Sequence, residues 1–151
     1  MPDGLYEHDL LIWAEQQADL LRRLAAGERV NEVIDWPHLI EEVRDLGLSE
    51  LRACESWIRQ ALIHLAKIKL NPGSPAVDGW TDEVEAFLSD LQSHFTPSMA
   101  RRIDLDKLYA KALKRVDRSD RLPRACPVAL DNLLAEDWRI TDLLAKFDPP
   151  S

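Results

Sequence analysis

Several things are scarce in this 151-residue chain, and each scarcity excludes something. It has 5 glycines and few β-branched residues against abundant Leu, Ala, Glu and Arg, which disfavours strands and tight β-turns throughout. No apolar run approaches the roughly 18 residues that a membrane-spanning helix needs; near the start the longest is "LLIWA", Leu10 to Ala14. The opening "MPDGLYEHD" has neither the basic region nor the apolar region of an export signal. Two cysteines without such a signal are expected to stay reduced. The chain also lacks a glycine-rich phosphate loop, a Gly-x-Ser-x-Gly elbow, a His-Glu-x-x-His helix and a paired Cys-x-x-Cys. The expectation is a cytoplasmic protein with no membrane contact, no assigned cofactor and no familiar catalytic machinery.

What is present is a core-forming composition. Hydrophobic residues make up 46% of the chain, and its length suits one domain spanning residues 1–151. The net charge of −8 argues against broad nucleic-acid binding. That charge is unevenly distributed: residues 1–100 hold 8 basic and 18 acidic side chains, whereas residues 101–124 hold 9 and 4. Arg101, Arg102, Lys107, Lys111, Lys114 and Arg115 form the centre of this basic patch. Docking against acidic helices of the same chain is the expected role, with a phosphate polymer as the competing one.

Apolar residues recur at spacings of three and four, which predicts an all-α bundle of five to six helices. The first helix runs from about Tyr6 to Ala26, with Tyr6, Leu10, Trp13, Gln17 and Leu24 on one face and Gly27 as its cap. Asp35 caps the second, and Pro37 sits in its first turn. Trp36, Ile40, Val43, Gly47, Leu51, Cys54, Ile58, Ala61, Leu65 and Ile68 hold one phase, within about 60° of a common direction at about 100° per residue. One long helix from about Trp36 to Leu70 is therefore predicted, with a break at Gly47 capped by Ser49 as the competing reading. Within the stripe, Gly47 would admit a close backbone approach. "NPGSPAVDG" is a loop, and further helices are expected over 81–95, after Thr96-Pro97, after Asp104, and from Pro127 onward, with an extension over 135–148.

The stretch "DWPHLIEEVRDLG" offers a histidine and several carboxylates at helical spacing. With Trp36 at zero, His38, Glu41 and Asp45 fall at about 200°, 140° and 180°, opposite the stripe and therefore towards solvent. Glu42, at about 240°, flanks it. Other polar residues also fall where the pattern calls for apolar ones: Gln17 and Asp9 on the first helix, and Glu50 and His64 on the long one, with Lys67 as a possible partner. A buried carboxylate is costly unless paired. Asp9, Gln17, Glu42, Glu50, His64 and Lys67 are thus either a satisfied packing network or the lining of a metal or small-ligand site in an enzyme, no metal being specified. Cys126 reads as a helix cap, where the dipole would lower a thiol pKa, and Cys54 as a core residue.

"YEHDLLIWAEQQADLLR", "DWPHLIEEVRDLGLSELRACES", "LIHLAKI" and "CPVALDNLL" together resemble domain-of-unknown-function family 29, small bacterial proteins, over about residues 5–134. The resemblance implies an all-helical fold and no established activity. It places recurrent polar positions on Asp9, Gln17, Glu41, Glu42, Ser49, Glu50, Ser56, His64 and Lys67. "EVEAFLSDL" and "KIKLNPG" depart from the family pattern. The resulting expectation is a non-catalytic helical protein that associates with itself or with one protein partner.

Overall fold

The computed structural model describes residues 4–149. Among these, the regular structure is helical: α1 (Leu5–His8), α2 (Leu10–Ala25), α3 (Trp36–Leu70), α4 (Val77–His94), α5 (Leu105–Leu113), α6 (Leu130–Leu134) and α7 (Ile140–Ala145), joined by three single turns of 3-10 helix. The all-α architecture organised on one long helix is as the periodicity predicts. By compactness the chain divides into two units, one ending at Leu48 and one beginning at Ser49.

The first unit holds α1, α2 and the opening turns of α3. The expected first helix is split at Asp9, whose φ of −150° leaves the helical region while its carboxylate accepts a hydrogen bond from the Ile12 amide at 3.1 Å. A side chain able to cap from within the sequence restarts the helix there. Gly27 ends it in the left-handed conformation, φ +93°, as its lack of Cβ allows. The buried residues of this unit are few: Trp13, Gln17, Val30 and Ile34.

α3 is one unbroken helix of 35 residues passing through Gly47. The expected close backbone approach at Gly47 is not found, because nothing lies within 4 Å of where its Cβ would stand.

The second unit contains the main core. Cys54, Ile58, Ala61, Leu62 and Leu65 of α3 are fully buried with Val84, Leu88 and Leu91 of α4 and Tyr109, Ala112 and Leu133. At ~25 cal/mol per Å² of apolar surface removed from water, this burial is the principal stabilising force. α4 begins at Val77, inside the expected loop, and the Asp104 carboxylate caps α5 by accepting from the Lys107 amide at 3.1 Å. The C-terminal segment departs from expectation. Helix does not begin at Pro127 but at Leu130, where Asn132 reaches back to the Ala129 amide at 2.8 Å. Cys126 therefore lies in the preceding loop and caps nothing. Burial, rather than a helix dipole, governs its thiol, raising the pKa to about 11.

Candidate functional site

The most organised polar cluster lies in the first unit and centres on Asp35. Its carboxylate Oδ2 accepts from the Trp13 indole Nε1–H at 3.0 Å and lies 2.7 Å from His38 Nδ1. The Asp35 amide donates to Gln17 Oε1 at 2.8 Å, so one residue joins α2 to the start of α3 twice. The Tyr6 ring stacks on the His38 imidazole, centroids 3.8 Å apart and 11° from parallel, and meets Trp13 edge-on at 4.9 Å. The Tyr6 hydroxyl donates to Glu42, and His38 Nε2 lies 3.9 Å from Glu7.

These contacts shape the protonation states. Burial pushes the Asp35 carboxyl up, but the hydrogen bonds from His38 and Trp13 outweigh it and hold the group below the usual carboxylate value. The hydrogen bond to Asp35 raises His38 above the ordinary imidazole value, against the opposing effect of desolvation. Its bond to Glu42 pushes the Tyr6 hydroxyl up to about 12, so it remains a donor.

This arrangement reverses the expected orientation of α3's first turns. His38 is half-buried under Tyr6 and bonded to Asp35, so the reading of it as a solvent-face residue is corrected. Asp45 is half-buried as well, whereas Glu41 is exposed as expected and Glu42, expected beside the stripe, is half-buried. The apolar stripe is the face left open: Ile40, Val43 and Leu46 are 66%, 68% and 72% exposed, and Trp36 is exposed too. The same stripe is buried from Cys54 onward.

An aspartate-held histidine beside a cavity of about 410 Å³ has the outline of a general base. It lacks an obvious reacting partner, however. Residues 1–48 contain no serine, threonine, cysteine or lysine, so the unit offers no aliphatic hydroxyl, thiol or amine side chain to activate. Among the described residues no buried side-chain nitrogen or oxygen lacks a hydrogen-bond partner.

The six residues singled out as inward polar positions have separate local roles. Asp9 caps α2, Gln17 is buried against the Asp35 amide, and Glu42 receives Tyr6. Glu50 lies 3.3 Å from His94 Nδ1. His64 is placed between the Gln60 carbonyl, 2.7 Å from Nδ1, and Glu83, 3.1 Å from Nε2. Lys67 sits with its Nζ 5.9 Å from the Trp80 ring centroid. No three described His, Cys, Asp or Glu residues form a group able to hold a metal ion. Asp35 and Tyr6, the centre of the cluster, were not among the expected site residues. Asp35 was legible only as a cap, and a tyrosine on an apolar stripe carries no signal that its ring will lie on a histidine.

The basic patch also differs from expectation. None of Arg101, Arg102, Lys107, Lys111, Lys114 and Arg115 forms an ion pair among the described residues, so no such pair stands behind the expected intrachain docking. Lys111, Lys114 and Arg115 instead line a cavity of the second unit with Arg59, Gln60 and Lys67.

The family model for the domain of unknown function DUF29 matches residues 5–139. The chain belongs to DUF29. A solved α-helical protein of unknown function from Rhodospirillum rubrum is similar to this DUF29 chain, with 30% identity and a TM-score of 0.70, over 95% of this chain and 98% of the other. No curated protein matches. The match supports the helical fold at the level of a solved relative and brings no activity with it. No helix of the DUF29 chain is long and apolar enough to cross a membrane among the described residues.

Proposed function

We propose that this DUF29 protein is a non-catalytic self-association module whose docking face is the open stripe of α3. The observation that carries the reading is the exposure of Ile40, Val43 and Leu46 on a stripe whose continuation forms the core. Large apolar side chains left contiguous in water are costly and commonly mark an interface. Leu21, Leu39 and Trp36 extend the stripe into a shallow apolar groove with Ile40 and Val43.

The pattern favours a second copy as the occupant. Trp36, Ile40, Val43 and Gly47 are spaced 4, 3, 4, which reads the same in both directions. An antiparallel pair centred between Ile40 and Val43 sets each Ile40 against the other copy's Val43. It also sets each Trp36 against the other copy's Gly47, a large side chain facing an empty site, over a length of about 17 Å. Between Trp36 and Gly47 the carboxylate nearest the stripe's centre is that of Glu42, about 100° away, so this part of the two faces brings no carboxylates directly together.

Sedimentation over a wide concentration range tests the proposal, and a mass of two chains is expected. Val43→Glu and Ile40→Glu should reduce it to one chain with helicity unchanged, since both positions are exposed in the single chain. A one-chain mass at all concentrations, or persistence of the dimer in both variants, would overturn the reading. Gly47→Ala then separates helix stability from docking. In the Val43→Glu background it should raise unfolding free energy by about 0.5–1 kcal/mol, read from the denaturation midpoint at constant slope, because alanine suits a helix interior and its Cβ meets nothing.

A further inference from the structure

The second unit has a cavity of about 530 Å³ whose charged lining is entirely cationic. Arg59 and Lys67 project from α3, with Gln60 and Ile63 between them, and Lys111, Lys114 and Arg115 come from the end of α5 and the residues just beyond it. No carboxylate lines the cavity. None of the five cations forms an ion pair among the described residues, in a chain that carries 27 acidic side chains against 19 basic ones.

A helix C-terminus accounts for part of this. Lys111 lies in the last turn of α5 and Lys67 in the last turn of α3, where cations complement the helix dipole. Arg59 does not follow from that rule, since it lies 11 residues before the end of α3. Nor does the rule require cations from two helices to share one concavity. Gathering five like charges costs repulsion energy, and none of the five is paired with a carboxylate among the described residues.

We propose that this cavity binds a small anion carrying two or more phosphate groups, of the pyrophosphate or nucleoside polyphosphate class. Its volume falls in the roughly 300–1,000 Å³ range of small-molecule sites. Five cations match the charge of a di- or triphosphate better than that of a monocarboxylate. Arg59 and Arg115 supply planar guanidinium groups suited to two-point contact with phosphate oxygens, and the lysines supply adaptable point charges. Gln60 adds a neutral polar group. An extended nucleic acid fits less well: Arg101, Arg102 and Lys107 do not line the cavity, and the net negative charge of the whole chain opposes a long polyanion. The site is independent of the α3 docking stripe, so either proposal can fail alone.

Calorimetric titration of the full chain with inorganic triphosphate at low ionic strength is the test. The expected result is one site per chain, weakened by added salt, with a rise in melting temperature. The double substitution Lys111→Glu and Lys114→Glu should weaken binding by about tenfold or more. Both side chains are exposed, and an unchanged melting temperature without ligand will confirm that the fold is intact. Arg101→Glu with Arg102→Glu should leave the affinity within about twofold, since neither lines the cavity. Absence of heat and of any melting shift at millimolar triphosphate would overturn the proposal. So would equal loss in the two double variants, which would indicate a diffuse field. Tighter binding of single-stranded RNA that both pairs of substitutions weaken alike would replace the pocket with an extended nucleic-acid surface.

Discussion

Asp35→Ala is expected to destabilise the first unit by about 2–4 kcal/mol, a large loss for a unit whose buried side chains are so few. The substitution removes the acceptor of the Trp13 indole N–H, and Trp13 is buried, so the indole is left with an uncompensated donor. It also removes the hydrogen bond to His38 and the carboxylate at the start of α3. The amide of residue 35 can still donate to Gln17, so α2 keeps one of its two ties to this residue. Slowed-exchange protection of α2 amides, followed by hydrogen exchange, is the readout, because it reports opening of this unit whatever the second one does. Unchanged α2 protection in the variant would show that apolar packing alone secures these helices.

The same substitution should remove a pH dependence. Asp35 is held below its ordinary value, so its contribution is present above about pH 3.8 and lost as pH falls through the lowered folded value. His38 is raised, so its contribution is complete below about pH 6.5 and lost as pH rises through the raised folded value. The native unit is therefore expected to be best protected between these limits, weakening on the alkaline side as the imidazole gives up its proton. Asp35→Ala should flatten the alkaline limb, since the shift of His38 depends first on its bond to Asp35.

How much of this was legible in the sequence depended on what periodicity can carry. The stripe from Trp36 to Ile68 kept phase through Gly47, and the unbroken α3 follows from it. Gln17, placed by its spacing on a buried face, is buried. Periodicity gives the direction of a face but not what covers it. Between Trp36 and Leu46 the apolar face is open, while the polar one, with His38 and Glu42, meets the Tyr6 side chain. Aromatic and charged groups pack well together when every polar atom finds a partner, and no one-dimensional pattern records such pairings. The cationic cavity was half legible. The charge count located Lys111, Lys114 and Arg115, but only folding brings Arg59, 52 residues before Lys111, beside them.

The second unit should respond to Tyr109→Ala more strongly than to any surface change, with a loss of about 3–5 kcal/mol. Tyr109 is the largest fully buried side chain, on α5, with Phe147 alongside at 6.3 Å between ring centroids. Truncation leaves a cavity that the surrounding Leu and Val side chains can only partly fill, so the cost exceeds the transfer free energy of the ring. The hydroxyl makes a separate contribution: it donates to the Pro123 carbonyl at 2.7 Å and ties the irregular segment after α5 to the core. Tyr109→Phe keeps the ring and removes only this bond, at an expected cost of about 1 kcal/mol, with local loosening around Pro123. Chemical denaturation of both variants, compared at equal slope, separates packing from hydrogen bonding. Equal losses would mean that the hydroxyl carries the energy and the ring little of it, contrary to the complete burial of Tyr109.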